Sequence, residues 1–224
     1  MRPSILLLLA FALFAPFTLA TSVMPVSASQ VPVPGTYVDA MRWYDEAAEA
    51  GDTRAQFLLG LGLLEGHRGK TNKVEAASWF QKAAEKGHPP AQYKLALMLQ
   101  FGDGIDRDLA QARSWHTTAA NQGVAEATYN LGLMLLQGDG GPVDGKLAAA
   151  WLRASARAGI HQALPILGYI HGNGIGVHRD PVQAMAWLIR AADAGIAGVE
   201  GSIEALGAAM SVQQIAKAAK LARK

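Results

Sequence analysis

The stretch GIGVHRDPVQAMAWLIRAADAG, residues 174–195, contains landmarks that recur at a fixed interval along this 224-residue chain. Its tryptophan is the last of five, each 36 residues after the one before: Trp43, Trp79, Trp115, Trp151 and Trp187. The same step carries an alanine (Ala40, Ala76, Ala112, Ala148, Ala184) and a glycine (Gly51, Gly87, Gly123, Gly159, Gly195). A fixed period between about 20 and 50 residues indicates a repeat architecture.

Each 36-residue unit is predicted to contain two helices. Helix A contains segments such as 91–96 and continues for about one more turn. It ends at a glycine that accepts a left-handed backbone: Gly66, Gly102, Gly138 and a site between Gly172 and Gly174. Helix B begins at a residue whose side chain can accept hydrogen bonds from free backbone N–H groups: Thr36, Asn72, Asp108, Asp144 and Asp180. Apolar residues then recur at spacings of three and four, which predicts one buried stripe.

The predicted fold is all-α, a right-handed α/α solenoid of helix–turn–helix repeats. A half-repeat covers 36–52, full repeats cover 53–88, 89–124, 125–160 and 161–198, and capping helices cover 199–224. Ser211 and Gln214 have the spacing of a capping box at the start of the last helix. We interpret the tryptophans as core residues that fill the volume between units, because regularly spaced aromatics among alanines are typical of a core.

The N-terminus has the layout of a secretory signal peptide. Arg2 precedes an apolar run over 5–19, and small-residue contexts ending at Ala20 and Ala28 follow. We predict a signal peptide over 1–28 with an extended linker over 29–35; cleavage after Ala20 and an uncleaved anchor stay open. The run is short for a spanning helix, so we expect an exported protein, periplasmic or secreted, with no stable membrane insertion after cleavage.

Charge and cysteine content narrow the function classes. The formal net charge is +2 with interspersed signs, which gives no electrostatic basis for binding nucleic acid. Cysteine is absent, so stability must come from burial without disulfides.

The 36-residue unit resembles the Sel1-like repeat, a relative of the tetratricopeptide repeat. The features that carry the resemblance are, in order, A-x-x-x-L-G, then G-x-G, then single D, A and W residues, then A-A and a final G. Residues 36–198 carry the resemblance, and 174–192 match it most closely. The loop 66–72 departs from it because the G-x-G is missing. The resemblance implies a non-catalytic adaptor or scaffold that binds a protein or peptide partner along a concave groove.

No pattern of residues predicts catalysis. The histidines form no H-x-x-x-H pair, and we interpret them as solvated loop residues. Three carboxylates in 102–108 lack the ligand order of a calcium loop, and Asp108 is already assigned as a helix cap. We therefore predict no enzyme activity, no metal site and no cofactor.

Partner-binding residues are expected where the repeats differ. Two positions of helix A, four residues apart, vary in chemistry between units: Lys94/Met98, Asn130/Met134 and Ile166/Ile170. By analogy with related repeats, we expect these side chains to line the groove. The alternative is that some of them contact helix B or the next repeat. A cell-wall (peptidoglycan)-recognising or -modifying envelope protein and a structural assembly subunit are the other functions considered. The partner's identity and the oligomeric state stay open.

Overall fold

The computed structural model describes residues 37–66 and 69–223, which form eleven α-helices and no strand. The predicted signal peptide, the linker and Thr36 lie outside the described residues. The helices are α1 (Tyr37–Glu49), α2 (Thr53–Glu65), α3 (Lys73–Glu85), α4 (Pro89–Phe101), α5 (Leu109–Asn121), α6 (Ala125–Gln137), α7 (Gly145–Arg157), α8 (Ala163–Asn173), α9 (Pro181–Asp193), α10 (Glu200–Ala208) and α11 (Val212–Ala222).

The helices pair in the predicted order, so the α/α solenoid is confirmed. The A helices α2, α4, α6 and α8 pack on the B helices α3, α5, α7 and α9 that follow them. Each of the first three B helices also packs on the next A helix, which joins neighbouring units into one stack. At the C-terminal end, α10 and α11 both cover α9. The capping box is present, because Ser211 Oγ accepts from Gln214 N and the Gln214 side chain accepts from Ser211 N.

The helix ends agree with the residue types at them. The B helices start with an Asn or Asp side chain that accepts a backbone N–H: Asn72, Asp108, Asp144 and Asp180. The A helices end at a left-handed glycine: Gly66, Gly102, Gly138 and Gly174. The only late start is α8, which begins at Ala163 in place of residue 161. Pro165 lacks the N–H that a helix extending to 161 would need there.

The second glycine of each G-x-G turn touches the preceding unit. Gly140 has φ +71°, and a Cβ there would collide with the carbonyl group of Leu109 at the start of α5. Gly104 and Gly176 lie in the same way against the backbones that start α3 and α7. A salt bridge of 2.7 Å between Lys73 and Asp103 joins the same two segments in the first such contact. The turn therefore stacks the repeats, which its sequence alone did not reveal.

The interior of each unit joins a small residue of helix A to a large residue of helix B. A Cβ added at Gly60, Gly132 or Gly168 would lie 3.0 Å or less from the side chain of, respectively, Phe80, Leu152 and Leu188. Ala96 and His116 occupy the equivalent places in the second unit, and both are fully buried. The large residue is always the one after the tryptophan.

The interpretation of the tryptophans as core residues is therefore wrong in part. Trp79, Trp115, Trp151 and Trp187 are only partly buried and pack against the edges of the core clusters. Trp43 is 37% exposed. Lys82 lies 3.7 Å above the ring of Trp79, and Arg190 lies 4.8 Å above that of Trp187. The indole covers the edge of the core, and the residue after it fills the interior.

Candidate partner-binding surface

The outward side of the A helices carries a row of side chains that are accessible to solvent. We call it the A-helix face. It is defined by accessible side chains of the A helices, which are Leu58 and Leu61 in α2, Lys94, Leu97 and Phe101 in α4, Asn130 and Leu133 in α6, and Ile166 and Tyr169 in α8. The places equivalent to Phe101 in the other units carry exposed polar residues: Glu65, Gln137 and Asn173. Three of its apolar side chains are well exposed: Leu58 (38%), Tyr169 (58%) and Phe101 (69%). The face thus combines apolar side chains with polar ones, which lie in the middle units and at the places equivalent to Phe101.

A depression of about 480 Å³ lies on this face between α2 and α4. Its lining residues are Leu64, Lys94, Leu97, Met98, Phe101, Gly102 and Asp103. Asp103 is already paired with Lys73, so the Lys94 ammonium group is the unpaired charge at an otherwise apolar rim. This geometry suits a partner side chain that is apolar with an acidic neighbour.

The structure divides the six predicted partner-binding residues into two sets. Lys94, Asn130 and Ile166 are partly exposed on the A-helix face, as expected. The second member of each pair is buried: Met98 (4% exposed), Met134 (1%) and Ile170 (0%) belong to the core. At these three positions the structure favours the alternative, packing in the core, although Met98 also lines the floor of the depression. A step of four residues turns about 40° around a helix, which is enough to carry the side chain from the open face to the contact with helix B.

Asn130 also links two neighbouring units. Its side chain lies close enough to the hydroxyl of Tyr93 on α4 to influence the pKa of that group. Burial has the larger effect and raises the pKa of Tyr93, whereas Asn130 lowers it. Burial raises the pKa of Tyr129 as well. Both rings are partly buried and pack against the core clusters.

The histidines correct a second prediction, because three of them are not solvated loop residues. His116 lies inside α5 and is fully buried. His88 caps α4 by accepting from Ala91 N at 3.3 Å, and His171 lies in α8 with a buried Nε2. His161 and His178 are exposed, and His67 lies outside the described residues. Across 37–66 and 69–223, no three His, Asp or Glu side chains are grouped closely enough to hold a metal ion.

The environment of His116 explains its state. Its Nε2 lies 3.2 Å from Gln100 Oε1, an acceptor, so Nε2 carries the proton and Nδ1 does not. Nδ1 is buried and has no partner. Burial lowers the pKa of His116 from 6.5 to about 4, because a second proton would place an unsatisfied charge in the core.

A larger cleft lies at the other end of the array, and sequence reasoning missed it. It has a volume of about 710 Å³ between α7, α8, α9 and the end of α11. Four arginines line it: Arg153, Arg157, Arg190 and Arg223. These residues come from three helices that are distant in sequence, so the only local signal was the i, i+4 pair on α7.

The repeat family follows from a scan against family models. The model of the Sel1 repeat matches residues 37–52, 53–88, 89–124, 125–160 and 166–196, which together make up more than half of the chain. This chain is a Sel1 repeat protein. Sel1 repeat proteins are generally protein-interaction scaffolds and typically non-catalytic.

Two solved structures place this Sel1 repeat protein among bacterial relatives. One is a Sel1 repeat protein from Oxalobacter formigenes, 27% identical, with a TM-score of 0.67 and 82% of each chain covered. Another is a protective antigen of uropathogenic Escherichia coli that displays an SLR fold. It is 30% identical with a TM-score of 0.51, over 84% of this chain and 48% of the antigen. This chain thus spans about half the length of that antigen.

Two further observations complete the description of this Sel1 repeat protein. A search of the curated proteins finds no match. Within the described part of the chain, no helix is long and apolar enough to cross a bilayer.

Proposed function

We propose that this Sel1 repeat protein is a non-catalytic adaptor of the bacterial cell envelope that docks a protein partner on its A-helix face. The observation that carries the proposal is the exposure of Phe101 and Tyr169, large apolar side chains on a face that no other part of the described chain covers. Exposed apolar patches bordered by polar groups are typical of interaction sites.

The details of the face favour a segment with an apolar anchor and an acidic group. The depression beside Phe101 has apolar walls and an unpaired ammonium group from Lys94 at its rim. Anchoring aromatic and aliphatic side chains in such depressions supply most of the binding energy at protein interfaces. The charged rim then selects the partner and speeds its association.

The envelope location rests on the N-terminal sequence. The apolar run over 5–19 and the small residues at Ala20 and Ala28 support export. Expression of the full chain in a Gram-negative bacterium, followed by fractionation and N-terminal sequencing, tests it. Recovery of a periplasmic chain that begins at residue 21 or 29 would agree with the proposal. A cytoplasmic chain that begins at Met1 would contradict it.

A photo-crosslinking experiment in cells tests the A-helix face. A photoreactive residue is placed at Phe101 and, as a matched control, at Val74, which is 70% exposed on the B helix α3. We expect one defined protein adduct from position 101 and none from position 74. The adduct should fall several-fold when Lys94→Glu is added, whereas Lys146→Glu on α7 should leave it unchanged.

The decisive step uses the purified partner identified by that adduct. It should bind the wild-type chain and lose affinity about tenfold for Lys94→Glu, since attraction becomes repulsion at a desolvated rim. Equal crosslinking from positions 101 and 74 would contradict the A-helix face. Retention on purified cell-wall sacculi without a protein adduct would favour the peptidoglycan-recognising alternative instead.

A further inference from the structure

The cleft at the C-terminal end of the array is strongly basic. Its charged lining residues are four arginines and one carboxylate, Asp193, with His161 at the edge. Arg153 and Arg157 come from α7, Arg190 and Asp193 from α9, and Arg223 follows α11. The whole chain carries a net charge of only +2, so this is a local concentration of positive charge and not a general property of the surface.

Arg190 is held in place by the fold. Its Nε donates to the carbonyl of Ala222 at 3.0 Å, and its Nη2 donates to that of Leu221 at 3.2 Å. The guanidinium group also lies over the ring of Trp187. A guanidinium has five N–H donors, so donors remain for a ligand after these two bonds. A cation fixed in this way loses little side-chain entropy when a ligand binds.

The other three arginines have no partner among the described residues. Arg153, Arg157 and Arg223 make no hydrogen bond or salt bridge there, and Asp193 makes none with them. Burial lowers the pKa of His171, and the positive charge of Arg153 lowers it further by a smaller amount. Four clustered cations with a single carboxylate raise one another's energy, and an anionic ligand relieves that repulsion.

The size and the apolar part of the cleft indicate what kind of anion fits. A volume of about 710 Å³ is within the range of ligand sites and much larger than one inorganic ion needs. The walls include Ala156, Leu164, Ala194 and the ring of Trp187, which suit the aliphatic parts of a peptide. A nucleic acid would instead need a basic stripe that continues along the surface, and the residues that define the A-helix face include one cation, Lys94.

We infer that this cleft binds an acidic segment of a protein partner, whose carboxylates pair with Arg153, Arg157 and Arg223 against the wall formed by Arg190 and Trp187. The cleft shares no residue with the A-helix face. It is a second docking site on the scaffold. The inference rests on the proposed scaffold function, but an experiment can contradict binding at one site without contradicting binding at the other.

Fluorescence anisotropy with the purified full chain tests the inference. The probe is a labelled hexaglutamate peptide at physiological salt, compared with a hexaglutamine peptide of the same length. We expect saturable binding of the glutamate peptide and at least about tenfold weaker binding of the glutamine peptide. Arg153→Gln/Arg157→Gln should weaken glutamate binding by about tenfold, because two charge-assisted hydrogen-bond partners are lost.

A matched variant removes the same net charge elsewhere. Lys70→Gln/Lys146→Gln, at two exposed lysines outside both sites, should change the affinity for the glutamate peptide by less than about twofold. Arg223→Gln, a single change at an exposed residue, should give an intermediate loss, and circular dichroism checks that each variant folds.

Three outcomes would overturn the inference. The first is equal weakening by the arginine and lysine double variants, which would show that attraction depends on overall charge. The second is equal binding of the two peptides. The third is tighter binding of an oligonucleotide of the same charge that is lost in Arg153→Gln/Arg157→Gln, which would assign the cleft to nucleic acid. These peptide-binding measurements do not depend on whether the crosslinking experiment at Phe101 gives a protein adduct.

Discussion

The two sides of each A helix obey different physical rules. On the side that meets helix B, space limits the choice of residue: Gly60 lies against Phe80 and Gly132 against Leu152, with no room for a methyl group. On the A-helix face, the equivalent places carry Leu58, Lys94, Asn130 and Ile166, which share neither size nor charge. Packing maintains the first set, whereas the second set is free to vary with a partner.

The largest expected difference between the two sides comes from one pair of leucines in α4. Leu95 is 2% exposed and belongs to the core, whereas Leu97 lines the depression on the A-helix face. Leu95→Ala should lower the free energy of unfolding by about 3 kcal/mol, because the cavity adds to the lost burial. Leu97→Ala should cost about 1 kcal/mol or less, since its side chain stays accessible to solvent. Urea denaturation of both variants measures the difference, and equal losses would mean that the A-helix face is part of the core.

His116 on α5 is the one polar residue at the place where the other full units bury Phe80, Leu152 or Leu188 against helix A. Its burial should make the protein less stable in acid. The folded-state pKa is about 4 against an ordinary value of 6.5, so between these pH values the unfolded chain binds a proton that the folded chain excludes. The stability contributed by neutral His116 is therefore complete above about pH 6.5 and lost as the pH falls toward 4. The full loss is about 3 kcal/mol, since each pKa unit corresponds to about 1.4 kcal/mol. Urea denaturation at a series of pH values measures it.

The control for this pH dependence is the residue that other units use. His116→Leu copies Leu152 and Leu188, so it should fold, remove the unsatisfied Nδ1 and flatten the stability curve between pH 7 and 4. A smaller slope should remain, because burial lowers the pKa values of His88 and His171 in the same direction. An unchanged slope in His116→Leu would assign the acid sensitivity to other groups.

Two glycines of α2 should respond with opposite signs to the same substitution. A Cβ at Gly60 would lie 2.7 Å from Cε1 of the fully buried Phe80, whereas a Cβ at Gly62 would meet nothing within 4 Å. Gly62→Ala should raise the free energy of unfolding by about 0.5–1 kcal/mol through helix propensity. Gly60→Ala gains the same propensity but should lower the net stability by about 1 kcal/mol, because the ring has no space to move. Thermal unfolding of both variants measures the two effects. Stabilisation by both would show that the contact between helices A and B has room for an added methyl group.

The repeat fold was predictable because its signals are local and repeated. Each helix end is marked by a nearby residue, either a cap such as Asp108, Asp144 or Asp180 or the terminal glycine of an A helix. Because these residues recur every 36 positions, a departure in one unit does not obscure the pattern. The interior was less predictable. In the four full units, the residue after the tryptophan is buried and the tryptophan is only partly so. The orientation of a helix against two neighbours depends on tertiary packing, which a periodic stripe does not resolve.

The candidate sites were predictable only where one helix decides them. Lys94, Asn130 and Ile166 lie on the A-helix face, as the variation between units indicated, but Met98, Met134 and Ile170 lie a fraction of a turn too far around the helix. The basic cleft needs α7, α9 and α11 to meet, and no local pattern in the sequence encodes that meeting. Sites built from distant helices follow from the stacking, which only the structure supplies.

The smallest expected effect on stability lies at the most exposed point of the A-helix face. Phe101→Ala should change the free energy of unfolding by less than about 0.5 kcal/mol, because 69% of the side chain already contacts solvent. Val74→Ala, a control at 70% exposure on α3, should behave alike. Only Phe101→Ala should reduce binding of the crosslinked partner, since an aromatic anchor loses its apolar contact there. Urea denaturation gives the first comparison and titration with that partner the second. A substantial loss of stability in Phe101→Ala alone would mean that this ring serves the fold, and the two sides of helix A would then no longer separate packing from binding.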